Sequence, residues 1–437
     1  MLQSGKFMSE PVAPPRQQFP QLLDVLASNQ WQWYAALNTA ILVLLPFLYL
    51  GIARISIALG HDIAPFGPVF GDPAYYYKWV SRLFFGDENQ VLAYPYPPLS
   101  LVLLTAPRVL ATSLSRYVVL FAAEMALLNA LILALIIRTC RESSMDSTSP
   151  LRWYTACMPC LGLLVLWRFD IAVALLTFWG CVEWRRRPVL ASSIFAAGTL
   201  VKVVPVLAFC VLLAQAVRQR ANWKLAARAV TVFAVLCVVA TIVWLAAVGI
   251  EAGSGMLLHA HRGLEVGSTY ASALMVWGKA TGEPVSVDYN PACLCAEITT
   301  LGPAAQLMTT ASTFILAGAF VWFAIWAIRG KLDDPFLSVS AALMLACTTF
   351  KVLSPQYLIW LPPFLAVLRG PGASRIRAAF LAACVLTSVL YSSAFSSLTD
   401  MEDWAVAGLV LRNGLLVYCC VKLLRQPGRP DPAIPVR

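Results

Sequence analysis

The sequence predicts an all-α polytopic membrane protein, built as a bundle of about 12 transmembrane helices. Of its 437 residues, 59% are hydrophobic and only 12% are charged, whereas soluble domains are about 25% charged. Lysine and arginine recur in the short connections between the apolar stretches, as they do in the cytoplasmic loops of membrane proteins. The net charge of +10 therefore reflects membrane orientation and does not indicate nucleic-acid binding.

The alternation of apolar stretches and basic connections predicts how the chain is threaded. An even number of spans places both termini on one side, and the basic connections make that side the cytoplasm. The chain then divides into a cytoplasmic tail over 1–34, a transmembrane domain over 35–424 and a second tail over 425–437. Two long outer loops cover 60–115 and 250–302. The predicted spans are 35–58, 116–138, 151–167, 170–184, 188–201, 204–217, 225–249, 303–328, 335–350, 356–369, 376–395 and 404–424.

The segment 97–113, PPLSLVLLTAPRVLATS, is apolar but is not predicted to cross the membrane. Pro98 and Pro107 interrupt a continuous helix, and Arg108 would place a charge in the hydrocarbon. We interpret the segment as a surface helix of the first outer loop. If it crossed instead, the connection 139–150, which is flanked by arginine, would lie outside.

Three cations stand at predicted outer turns with apolar helix on both sides: Arg168, Lys202 and Lys351. An unpaired charge is costly in such a place, so these residues are expected to pair or to bind a ligand. Arg168 and Asp170 share one turn, which predicts an ion pair between them. Prolines near these turns, such as Pro205, end one helix and begin the next. Several cations are therefore expected to converge on one outer cavity.

An acid stands among aromatic residues in the first outer loop, where the segment 70–79 reads FGDPAYYYKW. Asp72 followed by proline is a good helix start, so a capping role is one interpretation. The other interpretation is catalytic, because a carboxylate facing cations suits transfer of a group from an anionic leaving group. The acid would accept the proton of the incoming hydroxyl, and the cations would hold the departing phosphate.

Three motifs in order along the chain resemble a known family: AYPYPPLSLVLLTAP at 93–107, GTLVKVVPVLAF at 198–209 and FKVLSPQYLIWLPP at 350–363. They are similar to motifs of the GT-C superfamily of membrane glycosyltransferases, especially the bacterial polyprenyl-phosphate-mannose-dependent mannosyltransferases. The first mannosyltransferase of GPI-anchor assembly shares the same patterns. The resemblance covers residues 35–370 and implies a GT-C-like bundle whose large first outer loop carries surface helices.

The resemblance implies inverting transfer of a hexose, with mannose expected and arabinose left open, from a polyprenyl-phosphate donor to a lipid-linked or envelope glycan. The reaction would take place on the outer face of the plasma (inner) membrane, in a multi-pass protein. Asp72 would be the general base, and Tyr75 and Tyr76 would line the sugar or acceptor site. The family often has a longer gap between this aspartate and its tyrosine, so Asp62 is the alternative base.

The resemblance also implies residues that bind the donor and the acceptor. The candidates for the donor phosphate are Lys202, Arg262 and Lys351. The candidates for the sugar or acceptor, besides the two tyrosines, are His261, Gln356 and Tyr357. The last two match the turn in the family's third motif.

No cofactor is expected, and a divalent metal is left open. His259 and His261 could bind one together with Glu265, but no acidic pair with ligand spacing stands out in the first outer loop. The expected partners are the polyprenyl-phosphate sugar, a lipid or glycan acceptor and membrane lipids.

A secondary transporter or lipid flippase is the alternative from another functional class. Such proteins show internal repeats and buried charges near the membrane midplane. The sequence shows no clear repeat, and its intramembrane charges are few: Arg54, Glu124 and Arg412. Polar chemistry gathers at one face instead, which favours an enzyme working at the outer surface.

Overall fold

The computed structural model describes residues 22–58, 72–85, 94–218, 223–249, 262–290, 295–329 and 334–426. Most of them are helical. The helices up to residue 248 are α1 Leu22–Leu26, α2 Asn29–Ala58, α3 Asp72–Phe85, α4 Ser100–Leu110, α5 Leu114–Glu142, α6 Thr148–Cys160, α7 Leu164–Trp167, α8 Asp170–Trp184, α9 Pro188–Val201, α10 Pro205–Arg218 and α11 Trp223–Val248. The later ones are α12 Thr269–Thr281, α13 Ala304–Ile328, α14 Pro335–Thr349, a 3₁₀ helix Pro355–Trp360, α15 Pro362–Val367, α16 Ala373–Ser392, α17 Phe395–Thr399 and α18 Asp403–Arg425.

Within the described ranges, six helices are long and apolar enough to cross a membrane: α2, α5, α11, α13, α16 and α18. The protein is therefore a helical membrane protein. The other predicted spans hold shorter elements; α9 and α10, for example, have 14 residues each. A helix of that length extends about 21 Å, less than the roughly 30 Å of a bilayer core. The full set of twelve spans remains a prediction.

Helix α8 lies at the centre of the bundle and packs against α5, α9 and the 3₁₀ helix. Only Leu176 and Trp179 of its residues are not fully buried, as expected of a helix that is apolar on all sides. Its two acids stand at opposite ends, and each has a cationic partner. Glu183 accepts from Arg138 at 2.6 Å at one end, and Asp170 begins the helix at the other.

Helices α3 and α4 form a unit at one end of the bundle. Arg108 donates from Nε to Ser81 Oγ at 2.8 Å, and its guanidinium lies 5.0 Å from the ring centre of Tyr77. The backbone N–H of Leu99 donates to Leu200 O at 2.8 Å, which ties the start of α4 to the end of α9. With 11 residues, α4 is too short to cross a bilayer, as expected of a surface helix.

The helical protein also contains a small three-stranded antiparallel sheet, which the sequence did not predict, in the segment predicted to be the second outer loop. Strands β1 Leu264–Glu265, β2 Val285–Asn290 and β3 Cys295–Thr300 lie in the order β1-β3-β2. In VSVDYN the two valines alternate with polar residues, and CAEITT ends in three consecutive β-branched residues; both features are typical of strands. Gly282, with φ +75°, ends α12 before β2 begins, in the left-handed conformation that glycine adopts readily.

A buried polar network joins α2, α5 and α6. Asn129 donates from Nδ2 to Asn38 Oδ1 at 2.5 Å, and Tyr154 Oη donates to Asn129 Oδ1 at 2.8 Å. All three side chains have their polar atoms inside the bundle, where no water replaces a lost hydrogen bond.

We expect Asn129→Ala to lower the free energy of unfolding by about 1–2 kcal/mol, the range found for hydrogen bonds between membrane helices. The substitution leaves both Asn38 and Tyr154 without this partner. Thermal unfolding in detergent measures the effect. Leu127→Ala on the same helix is the control, because that side chain is 60% exposed; equal stability of the two variants would contradict the prediction.

Candidate active site

Four charged side chains meet where α7 and α9 end and α3 and α8 begin. Asp72 is the first residue of α3 and Asp170 the first of α8, while Arg168 and Lys202 directly follow α7 and α9. Arg168 Nη1 forms an ion pair with Asp72 Oδ2. Lys202 Nζ lies 2.7 Å from Asp170 Oδ1. These four residues are called the ion cluster below.

The pairing within the ion cluster differs from the prediction for the turn after α7. Arg168 and Asp170 were expected to pair with each other, but each has an ion-pair partner from another element. Arg168 has an extended backbone at the end of α7, whereas Asp170 begins α8 and is 1% exposed, inside the bundle. Burial lowers the pKa of Arg168 to about 10, and the fields of Asp170 and Glu265 offset part of that effect.

The tyrosines beside Asp72 lie on different sides of α3. Tyr76, one turn later, is 1% exposed and donates from Oη to Asp72 Oδ2 at 3.2 Å. Its ring packs against Tyr96 and Phe169, which line the same region. Tyr75 is 36% exposed and contacts Trp79 outside the ion cluster. Tyr76 therefore belongs to the candidate site by direct contact, and Tyr75 lies on the outer side of the helix.

The 3₁₀ helix covers the Lys202 side of the ion cluster. Trp360 donates from Nε1 to Asp170 Oδ1 at 2.8 Å. Tyr357 and Trp360 stack with their ring centres 4.3 Å apart, and Lys202 Nζ lies 4.8 Å from the ring centre of Tyr357. Burial lowers the pKa of Lys202, while the adjacent Asp170 raises it. A buried ammonium between aromatic faces and one carboxylate is held in place on several sides.

The segment that contains the small sheet brings Arg262 and Glu265 to the same region. Arg262 is 8% exposed, and its positive field acts on Lys202 and on Lys351. Burial alone would lower the pKa of Arg262, but the neighbouring Glu265 carboxylate raises it above the usual value. The N–H of Glu265 donates to Lys351 O at 3.0 Å, and Ser354 Oγ donates to Glu265 Oε1 at 2.8 Å. Strand β1 is thereby tied to the turn after α14.

Two further predicted residues can be located, and three lie outside the described residues. Gln356 lies in the 3₁₀ helix, is 8% exposed, and has no hydrogen-bond partner for Oε1 among the described residues. Lys351 is half-buried beside Arg262 and Glu297. His261 lies outside the described residues, as do Asp62 and His259. Within the described ranges, no group of three His, Cys, Asp or Glu side chains is arranged to hold a metal ion.

The sequence assigned Asp170 only a structural ion pair and Glu265 only a possible part in a metal site, and it assigned Trp360 no role. Asp170 and Trp360 are in contact with Lys202 or with each other, and Glu265 links Ser354 to Arg262. The signal available in the sequence for Asp170 was its position at the start of an apolar helix, because an acid buried at such a position needs a partner. Nothing local to Trp360 distinguishes it from the many aromatic residues of a membrane protein.

Two buried polar residues of α18 anchor the loop that carries Glu265. Arg412, 0% exposed, donates from Nη1 to Gly267 O at 2.8 Å. Asn413 donates from Nδ2 to Ser268 O at 3.1 Å. Ser268 in turn caps α12 by accepting from Ala271 N–H at 3.1 Å. The position of Glu265 thus depends on a helix that is distant from it in sequence.

Gly267→Ala is expected to lower the free energy of unfolding by about 1–3 kcal/mol, as overpacking does in tight interiors. A Cβ at this position would clash with the Tyr391 hydroxyl and would lie 2.6 Å from Leu353 O. Thermal unfolding in detergent measures the change. Gly414→Ala is the matched control, because a Cβ there meets no atom within 4 Å; a loss as large in the control would contradict the assignment.

No protein-family model, curated protein or solved structure matches this chain.

Proposed function

We propose that this protein is a glycosyltransferase that moves a hexose, with mannose expected, from a polyprenyl-phosphate donor to a lipid-linked or envelope glycan. The reaction is assigned to the extracytoplasmic face of the plasma membrane, because the basic connections favour the cytoplasm for the opposite ends of the helices. The observation that supports the proposal most is the ion pair of Asp72 with Arg168, which lies in the electrostatic field of the adjacent Lys202–Asp170 pair. Motif resemblance to the GT-C superfamily adds the donor class.

Asp72 acts as general base in the proposed reaction. The acceptor hydroxyl oxygen attacks the anomeric carbon from the face opposite the phosphate, and its proton passes to the carboxylate. The bond between the anomeric carbon and the phosphate oxygen breaks, so the configuration inverts and polyprenyl phosphate leaves. Tyr76 and Arg168 both contact Oδ2 of Asp72, and we assign Oδ1 to the acceptor hydroxyl.

The cations stabilise the leaving phosphate. A sugar phosphodiester carries one negative charge, and the departing monoester gains a second as the bond breaks. Lys202, Arg262 and Lys351 are assigned to this charge, and Arg168 is added because it lies beside Asp72. Preorganised positive charge in a site with little water is worth more than in solution, because solvent no longer screens it.

A transfer assay tests the proposal. Purified protein in liposomes is given radiolabelled polyprenyl-phosphate mannose, glucose or arabinose with a crude lipid-linked glycan acceptor. We expect labelled product from one hexose donor, and none when Asp72 is replaced. Absence of transfer from every donor would overturn the proposal.

The same liposomes separate the proposed enzyme from a transporter or flippase. Movement of labelled donor or solute across the sealed bilayer, with no new glycosidic bond formed, would favour that alternative. Product formation without net movement across the bilayer would support the enzyme.

A further inference from the structure

Glu265 is a buried carboxylate that the proposed reaction does not use. Its side chain is 6% exposed, and strand pairing with Glu297 fixes its backbone. Oε1 accepts from Ser354 Oγ at 2.8 Å. Oε2 is buried and has no hydrogen-bond partner within the part of the chain that the structure describes. A buried acceptor without a donor is costly, so it indicates that a donor is supplied from elsewhere.

A second acceptor without a partner stands close to the first in the fold. Gln356 is 8% exposed, and its Oε1 also has no donor among the described side chains. It lies two residues beyond Ser354, which holds the Glu265 carboxylate. The next residue, Tyr357, is in the electrostatic field of Glu265 and Arg262. One acceptor without a partner and an aromatic face therefore lie in the 3₁₀ helix, and the second acceptor lies in β1, which Ser354 joins to the residue before that helix.

The ligand that fits these atoms must bring hydrogen-bond donors. A phosphodiester has only acceptor oxygens, and its negative charge is repelled by a carboxylate, so the phosphate is excluded from this position. Sugar hydroxyls donate hydrogen bonds, and the apolar face of a sugar ring packs on aromatic rings such as that of Tyr357, which is half-buried and stacks on the buried Trp360 with the ring centres 4.3 Å apart. The neighbouring Arg262 can meanwhile bind the phosphate that is attached to the same sugar.

We propose that Glu265 accepts hydrogen bonds from hydroxyl groups of the transferred sugar and determines which sugar is accepted. The inference rests on the proposed function and names the part of the donor that this carboxylate contacts. A site that hydrogen-bonds a substrate hydroxyl discriminates strongly against analogues that lack it, because the buried acceptor is then left without a partner. Ser354 is the positioning residue, since it holds the other carboxylate oxygen.

The test compares the unaltered protein with Glu265→Gln across polyprenyl-phosphate hexose donors deoxygenated at single ring positions. We expect Glu265→Gln to lower kcat/KM for the preferred donor by about 10- to 100-fold, the loss of a hydrogen bond to a charged group. One deoxy donor should be poor for the unaltered protein and should lose little further activity in the variant, because the same hydrogen bond is missing in both. Glu283→Gln, at a half-buried acid on the same loop and outside the ion cluster, is the control and should leave discrimination unchanged.

Several results would overturn the inference. An unchanged kcat/KM in Glu265→Gln would show that water, and not the sugar, donates to Oε2. An equal loss of kcat/KM with every donor would show that Glu265 has a structural role only. Glu265→Asp keeps the charge but shortens the reach, so it should also lose discrimination while retaining thermal stability. No transfer by the unaltered protein from any donor would overturn the proposed function and this role with it, whereas normal transfer with unchanged discrimination overturns the sugar-binding role alone.

Discussion

Asp72→Asn is expected to reduce sugar transfer by about 10²- to 10⁴-fold, the usual contribution of a positioned general base. The amide has the shape of the carboxylate but cannot accept the proton of the acceptor hydroxyl. If Asp72 only begins α3, asparagine serves nearly as well, because it caps helices as effectively as aspartate. The same substitution therefore gives opposite results under the two interpretations of this residue.

The Asp72→Asn comparison needs a control for loss of an acid near a helix start. Asp146 is exposed and accepts from Thr148 N–H at 3.0 Å just before α6. Asp146→Asn should leave transfer unchanged. Thermal unfolding in detergent should be recorded for both variants, because Asp72→Asn removes the ion-pair partner of Arg168. Full transfer by a well-folded Asp72→Asn protein would end its assignment as the base.

The positions of the helix ends were predictable because strong local signals mark them. The expected outer turns at 167–170, 201–204 and 350–356 agree with the breaks around Arg168, after α9 and after α14. Proline fixes such breaks by removing a backbone donor, and a charge between apolar stretches favours the membrane edge. The convergence of these turns was inferred from sidedness alone, and the Lys202–Asp170–Trp360 contacts agree with it.

The pairing of charges was not predictable from the sequence. Arg168 is two residues from Asp170, yet its ion-pair partner is Asp72, since burial of α8 turns Asp170 towards Lys202. Where several helix ends meet, the separation of two charged residues along the sequence does not predict whether they form an ion pair. The small sheet was missed for a similar reason, because its strands are short and lie in a loop between long apolar helices. The position of Glu265 in the site is evident only from its strand pairing in β1 and from the hydrogen bond that it accepts from Ser354.

Lys202→Met is expected to have the second large effect, on both stability and transfer. Asp170 is 1% exposed and would lose its ammonium partner while keeping its hydrogen bond from Trp360. Removing one partner of a buried ion pair costs about 3–5 kcal/mol, because the other charge remains buried without compensation. Transfer should be lost as well, since the donor phosphate loses a cation. Lys279→Met is the control, because its pair with Asp403 lies at the surface and such pairs contribute about 1 kcal/mol or less.

The double variant Lys202→Met with Asp170→Asn separates the two effects. Asparagine still accepts from Trp360, and no charge is left without a partner, so most of the lost stability should return. Transfer should not return, because neutralising Asp170 does not replace the cation at the phosphate. If the double variant regains transfer together with stability, Lys202 serves only to neutralise Asp170. Stabilisation of the negative charge on the leaving group would then depend on Arg168, Arg262 and Lys351.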